Sequence, residues 1–214
     1  MSTSTTRKGR TTRKRADKPT FIEETRRQQF LEIGVRLFRE LGYEKASLAR
    51  IAREAGVSKG VVLYHFSGKA ELGKAVLRQV LRGYSDFLRE RTDVRETAKA
   101  KILQIPSASL EYVAAHREDY AIYVDVIGCF GGLEEKREFA AWVSQRTREM
   151  LVALIRQGQE EGEIGPVNAA ALADVIQGAL DGLMELYAVD PESVDLETAG
   201  AVLASMIEGE LSRS

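Results

Sequence analysis

The chain has 214 residues, of which 44% are hydrophobic and 29% charged, as is ordinary for a soluble globular protein with a sizeable core. Its longest strongly apolar run, residues 150–155, is far too short for a bilayer-spanning helix. Cys129 is the only cysteine, and His65 and His116 are the only histidines. The composition therefore excludes an intramolecular disulfide and a cysteine-rich metal site, and it fits a reducing cytoplasm.

The net charge of −1 hides a strong asymmetry along the chain. Residues 1–66 contain 15 Lys and Arg against 7 Asp and Glu, whereas residues 67–214 contain 16 against 25. A basic first third beside an acidic remainder predicts that only the first third contacts a polyanion such as nucleic acid.

Residues 1–19 contain seven basic side chains and almost nothing apolar, which predicts a disordered basic arm. Two interpretations stay open: an arm that lies on DNA phosphates or enters a minor groove, and a tail that only adds solubility. The Arg- and Ser-rich composition is superficially that of a transit peptide. Because no apolar segment and no amphipathic pattern precede Phe21, we expect no targeting segment.

The first predicted helix begins after Thr20. Thr20 and Glu23 have the spacing of a capping box, in which each side chain bonds the backbone N–H of the other. Gly42 is expected to end this helix, with Tyr43 packed under the turn. The apolar stripe between them consists of Phe30, Ile33, Gly34, Leu37, Phe38 and Leu41.

Residues 47–66 predict two short helices joined by a turn. The inward side of the first consists of Leu48, Ile51, Ala52 and Ala55. Gly56 ends it, because glycine enters the left-handed conformation without a Cβ penalty. Ser58 is expected to cap the second helix through its hydroxyl, and Val62 and Phe66, four residues apart, both turn inward. Such a pair is a helix-turn-helix, which presents its second helix to a DNA major groove.

The outward side of that second helix favours DNA over solvent. A small residue permits close approach, aliphatic groups can meet thymine methyls, and Lys, Tyr and His can reach phosphates. The alternative is that these are two ordinary helices of an all-α core. It does not account for the residue types on the outward side of the second helix. The outward residues are Lys59, Gly60, Val61, Leu63, Tyr64 and His65.

The sequences at residues 37–52, 55–60 and 64–69 resemble the amino-terminal signature of TetR-type transcriptional regulators, and the match is close over residues 21–69. Beyond it the likeness is general: the length, the helical pattern and a Glu-Gly-Glu-Ile-Gly-Pro turn at 161–166. Leu63 stands where the family usually carries a tyrosine that touches DNA, so that contact does not carry over.

The predicted DNA-binding residues fall into two groups. Base edges are expected to meet Lys59, Gly60 and Val61. Phosphates are expected to meet Ser47, Arg50, Ser58, Tyr64, His65 and Lys69, and the family uses the lysine at the last of these positions in this way.

The rest of the chain shows helical patterns without repeats or strands. Helix 4 is expected at about 69–91, helix 5 from near Asp93 with a kink or break at Pro106, and helix 6 at about 118–127. Helices 7, 8 and 9 follow at about 133–160, 168–188 and 195–211. The prediction is an all-α protein of about nine helices. It comprises a basic arm (1–19), a three-helix helix-turn-helix domain (20–66) and a larger helical effector-binding and dimerisation domain (67–214).

Helices 8 and 9 are rich in small and apolar residues, which permit close helix approach. The family dimerises through these helices, so the resemblance implies a homodimer through about 168–211. Ordinary packing within one subunit is the alternative interpretation.

Aromatic residues are spread over helices 4 to 7, where the resembled family has its effector pocket. Each is either a core residue or a ligand contact, and the apolar composition favours a small hydrophobic or aromatic effector. The candidates are Tyr84, Tyr112, Tyr123, Phe130 and Trp142. Asp125 could pair with a cationic ligand or lie on a solvated face, and we expect His116 and Cys129 to be structural.

No nucleophile elbow, phosphate-binding glycine loop or paired-acid motif is present, so the sequence predicts no enzyme, no cofactor and no metal site. It predicts a cytoplasmic, sequence-specific DNA-binding regulator, a ligand-responsive repressor that binds a palindromic operator on double-stranded DNA as a dimer. The alternative is a constitutive DNA-binding protein without an effector.

Overall fold

The structure, a computed structural model, describes residues 20–129 and 132–212. Within these ranges the chain is all-helical, with nine α-helices and no strand, which confirms the predicted fold class. The helices are α1 (Phe21–Leu41), α2 (Leu48–Glu54), α3 (Lys59–His65), α4 (Lys69–Asp93), α5 (Ala98–Ala115), α6 (Arg117–Gly128), α7 (Leu133–Glu160), α8 (Ala169–Val189) and α9 (Leu196–Leu211). The basic arm and Phe130 lie outside the described residues.

Local sequence signals fix both ends of α1 and the turn after α2. The Thr20 side chain accepts from the Glu23 N–H while Glu23 accepts from the Thr20 N–H, so the predicted capping box is present. Gly42 (φ 77°) and Gly56 (φ 67°) both adopt the left-handed backbone conformation that favours glycine.

The predicted hydroxyl cap of α3 is wrong. Ser58 occupies the N-cap position with an extended backbone, but its side chain makes no capping hydrogen bond. The N–H that it would bond, that of Val61, is already bonded to the Ser58 carbonyl oxygen at 3.0 Å.

The predicted start of helix 5 is also wrong, and of the two alternatives at Pro106, a kink or a break, the break is wrong. Because α4 itself continues to Asp93, α5 begins later, at Ala98. Thr97 caps α5 by accepting from the Ala100 N–H at 3.1 Å. Pro106 lies buried within one continuous helix. Since α5 packs against α4, α7, α8 and α9, tertiary packing outweighs the roughly 3 kcal/mol that an interior proline costs.

Two hydrophobic cores organise the helices. The first combines α1–α4 with Ile122 and Val126 of α6 and Phe139 of α7. The second is formed mainly by α5, α7, α8 and α9. Because the first core runs across residues 66 and 67, the domain boundary placed there stays a prediction. Both α4 and α6 connect the N-terminal three-helix unit (α1–α3) to the rest of the chain.

Two features are absent from the described ranges. None of their helices has both the length and the apolar character needed to cross a membrane. They also contain no group of three or more His, Cys, Asp or Glu side chains placed to hold a metal ion.

Candidate functional site

The α3 helix is held by two inward side chains and presents the remainder outward. Val62 and Phe66 are fully buried, as the sequence predicts. The guanidinium of Arg27 in α1 lies 4.7 Å from the centre of the Phe66 ring, which adds a cation–π contact. The exposed residues are Lys59, Gly60, Val61, Leu63 and Tyr64.

His65 faces outward less than predicted. It is half-buried, and its ring meets the Phe30 ring edge-on with centroids 5.4 Å apart. Burial lowers the pKa of His65 below its ordinary 6.5, so the imidazole is neutral at pH 7. A neutral ring can donate one hydrogen bond to a phosphate but brings no charge.

Tyr64 has a partner that the sequence did not reveal. Its hydroxyl donates to Glu23 Oε1 at 2.7 Å, while Glu23 Oε2 accepts from the Thr20 N–H at 2.7 Å. The Tyr64 hydrogen bond, followed by those from Thr20, lowers the pKa of Glu23. One carboxylate therefore joins the first turn of α1 to the last turn of α3.

The other predicted phosphate contacts lie around the turns that flank α2. Lys69 Nζ donates to the Glu44 carbonyl oxygen at 2.7 Å and lies 4.5 Å from the centre of the Tyr43 ring. Ser47 caps α2 by accepting from the Arg50 N–H at 3.2 Å. Arg50 Nε lies 3.6 Å from Glu54 Oε1, and such a long ion pair restrains the Arg50 side chain little.

A cavity of about 980 Å³ lies between α4, α5, α6, α7 and α8. Four of the five predicted ligand contacts line it, namely Tyr84, Tyr112, Tyr123 and Trp142, whereas Phe130 lies outside the described residues. Asp125 also lines its wall.

Sequence reasoning missed the polar part of this wall. Gln177, Asp181 and Glu185 line the cavity from one side of α8, and Tyr120 lines it from α6. The signal was available, because these three polar residues recur at a spacing of four in a mainly apolar helix whose other charged residue is Asp174. The cavity is thus more polar than predicted.

Burial raises the pKa values of several titratable side chains that line the cavity. It raises the pKa of Tyr84 to about 12, although the Tyr84 hydroxyl donates to Ser109 at 2.8 Å. Burial also raises the pKa values of Tyr120, Tyr123 and Asp181. At neutral pH the three phenols are therefore protonated, and Tyr120 and Tyr123 can donate hydrogen bonds to a bound molecule, whereas the Tyr84 proton is donated to Ser109.

Two family models match the chain. The model of bacterial regulatory proteins of the tetR family covers residues 30–76, and that of the BetI-type transcriptional repressor C-terminal region covers residues 98–212. The chain belongs to the TetR family.

Relatives agree with this assignment. The transcriptional regulator BetI of Cronobacter sakazakii is 24% identical over 192 residues, covering 89% of this chain and 93% of its own. The solved structure of a TetR-family regulator from Rhodococcus sp. matches with a TM-score of 0.73 at 19% identity, covering 88% of this chain and 100% of that one. FadR of Bacillus subtilis, solved with stearoyl-CoA, matches with a TM-score of 0.70 at 18% identity, covering 86% and 97%.

Membership of the TetR family defines the broad function. The chain is a DNA-binding transcriptional regulator of the repressor type, as the sequence predicts. The likeness to the solved structures supports the fold alone. The roles of individual residues in this TetR-family chain stay predictions.

The contact between α1 and α3 can be tested through the pKa of Glu23. Tyr64→Phe removes the donor that lowers this pKa most, so the pKa should rise towards 4.5. Because the folded-state pKa is depressed, the contact stabilises the protein above pH 4.5, and the effect is lost as the pH falls through the folded-state value. Carboxyl-carbon NMR titration measures the change.

Glu71 is the internal control for this titration. Its pKa is lowered mainly by hydrogen bonds from Ser67, so Tyr64→Phe should leave it unchanged. An unchanged Glu23 pKa in the variant would show that the contact does not persist in solution.

Proposed function

We propose that this chain is a cytoplasmic homodimeric repressor without enzymatic activity, which binds a pseudo-palindromic operator and responds to a small molecule in its cavity. The observation that carries this proposal is the outward side of α3. Its two inward residues hold it in the first core, and the exposed residues have the size and chemistry of a major-groove surface.

Gly60 supports docking of the first turn of α3 against base edges. A Cβ built on it would lie 3.6 Å from Ser58 Oγ, an ordinary contact, so packing within the chain does not require glycine there. Lack of a side chain instead permits close approach to DNA. Lys59 and Val61 flank it and are proposed to meet bases.

The phosphate contacts are proposed to surround this turn: Ser47, Arg50 and Ser58 at the helix starts, Tyr64 and His65 at the end of α3, and Lys69 at the start of α4. Leu63 is exposed where the family usually carries tyrosine, and we propose an apolar contact there.

Thr20, where the described residues begin, caps α1, and Tyr64 of α3 contacts the first turn of the same helix. A basic arm attached at this point favours the DNA interpretation over the solubility one.

The dimer is proposed to form through α8 and α9. Five large apolar side chains on these helices are more than half exposed: Val175, Leu186, Val189, Val202 and Met206. Gly178 and Gly182 share the exposed side of α8, and no atom lies within 4 Å of a Cβ built on either. Small residues between large apolar ones allow two helices to approach closely, as in a twofold interface.

The effector is proposed to bind in the cavity between α4 and α8. Its volume is at the upper end of the roughly 300–1,000 Å³ of small-molecule sites. Aromatic walls favour a hydrophobic or aromatic molecule, and the phenols and α8 polar residues would orient it. A cavity of this size favours a ligand-responsive regulator over a constitutive DNA-binding protein.

The docking arrangement predicts different effects for two substitutions. Lys69→Ala should weaken binding to all DNA sequences alike and reduce the salt slope of log affinity by about 0.9, because one phosphate contact is lost. Val61→Ala should change base preference, with discrimination altered by about 1–3 kcal/mol at one position. Binding to duplexes selected from a random library by the wild-type protein, measured by fluorescence anisotropy at several salt concentrations, checks both.

The control for docking is Lys99→Ala. Lys99 Nζ donates to Ser212 at 2.9 Å, far from α3, and its loss should leave DNA binding unchanged. Equal effects of Lys69→Ala and Lys99→Ala would contradict the proposed docking.

The dimer interface is tested by placing a charge on its proposed surface. Gly182→Arg and Met206→Arg should each produce a folded monomer, because an unpaired charge would be buried on association but stays solvated in one subunit. Sedimentation velocity gives the mass. Val94→Arg, which changes an exposed valine after α4, should leave the dimer intact. Dimers of unchanged stability in both α8 and α9 variants would exclude this surface.

The effector proposal predicts reciprocal coupling between cavity and operator. An aromatic compound selected because it raises the melting temperature should weaken operator binding about 5- to 150-fold, a coupling of about 1–3 kcal/mol. By linkage, operator DNA must weaken the compound by the same factor. Titration calorimetry with and without operator measures it, and Tyr123→Ala should lower the compound's affinity. Equal affinities in both titrations would show that the compound binds without any effect on DNA binding.

A further inference from the structure

A buried carboxylate of α6 contacts both the N-terminal three-helix unit and the cavity. Asp119 lies in the first turn of α6 and is only 4% exposed, and it also lines the cavity. Arg39, in the last turn of α1, donates to Asp119 Oδ1 through Nε at 2.7 Å, and its Nη2 lies 2.5 Å from the same oxygen. Tyr112 of α5 donates to the other oxygen, Oδ2, at 3.3 Å.

Tyr112 belongs to the cavity wall and is held there by other rings. It stacks on His116 with centroids 4.1 Å apart and meets Tyr84 edge-on at 5.3 Å. Burial, and then the charge of Asp119, raises the pKa of Tyr112 to about 12. The phenol therefore stays protonated and donates to Asp119 at every physiological pH.

The first half of α1 is joined to α3 and to the residue that ends it. Three contacts join these helices: Tyr64 with Glu23, His65 with Phe30, and Phe66 with Arg27. A second carboxylate of α6, Asp125, accepts from the Tyr43 N–H at 3.4 Å, just after α1. The end of α1 is thus attached to α6 at two points, while α1 itself supports α3 along its first half.

The Arg39–Asp119 pair is only partly buried, since the Arg39 side chain is 40% exposed, and the desolvation of Asp119 offsets part of the attraction between the two charges. The pair is therefore weak evidence for stability. Its geometric effect is stronger. Two oxygens with two different partners fix α6, α1 and α5 relative to one another, so displacement of any one changes the other two contacts.

We propose that Asp119 is a positioning residue that couples the cavity to DNA binding, since a molecule that displaces Tyr112 alters the Asp119–Arg39 pair and thereby the orientation of α1 and α3. The signal passes through α6 as well as through α4. This proposal rests on the proposed effector response and concerns the residues that transmit it.

The test needs no effector, because the Tyr112 hydroxyl itself can be removed. Tyr112→Phe leaves the ring and the cavity shape but takes the donor from Asp119. Tyr84→Phe is the matched control, since it removes a phenol hydroxyl from the same cavity whose partner is Ser109 at 2.8 Å. The measurement is affinity of the full chain for duplexes selected by the wild-type protein.

Tyr112→Phe should weaken operator binding about 5-fold or more, within the usual range of coupling between sites, whereas Tyr84→Phe should stay within about twofold. In an Arg39→Gln background, Tyr112→Phe should have no further effect, because the contact that transmits it is already broken. Asp119→Asn should resemble Tyr112→Phe. Equal effects of the two Tyr→Phe variants, or additive effects of Tyr112→Phe and Arg39→Gln, would overturn the proposal.

Hydrogen exchange in the DNA-free protein provides a second measurement that a merely structural role would not match. Tyr112→Phe should speed amide exchange in the last turn of α1, residues 38–41, while Tyr84→Phe should not. If the wild-type protein selected no duplex, the proposed operator binding would fail, but this measurement would still decide the coupling. A general acceleration over all helices in Tyr112→Phe would reduce Asp119 to a stabilising residue and contradict the proposal.

Discussion

The proposed DNA-binding surface depends most on the packing of α3 into the first hydrophobic core. A helix of seven residues is far too short to be stable alone, so contacts with its neighbours must hold it. Val62 and Phe66 supply these contacts and are fully buried in the first core, to which Phe30 also belongs. Because they lie four residues apart, they also fix the rotation of the helix about its axis. Lys59, Gly60, Val61 and Tyr64 point outward as a consequence of that constraint.

The α8 helix shows how one element can serve three surfaces. Residues such as Ile176 and Leu180 face the second core, Asp181 and Glu185 face the cavity, and Val175 lies on the exposed apolar side. These sets occupy successive sectors around the helix. A change in the cavity is therefore separated from the proposed dimer surface by only the width of one helix, so subunit arrangement and ligand binding share a rigid element.

The sequence was sufficient at the capping box of α1 and for the inward pair of α3, where local chemistry decides the structure, although the hydroxyl cap expected at Ser58 did not form. The break considered at Pro106 did not occur, because the packing of α5 against its neighbours outweighs a local preference for ending the helix. The sequence also could not pair residues far apart in the chain. Tyr64 and Glu23 are 41 positions apart, and Arg39 and Asp119 are 80 positions apart. Such contacts follow from the arrangement of helices, which periodicity alone does not determine.

The position of the cavity gives a route by which the proposed effector would act on DNA binding without touching α3. Helices α4 and α6 contribute to the first core, whereas α5 and α8 contribute to the second, and the cavity lies between these two groups. Close-packed cores move as units because they deform little. A molecule that changes the spacing between the cores must therefore move α4 and α6 together with the N-terminal unit. The size of the effect is limited by the difference in the ligand's affinity for the two arrangements.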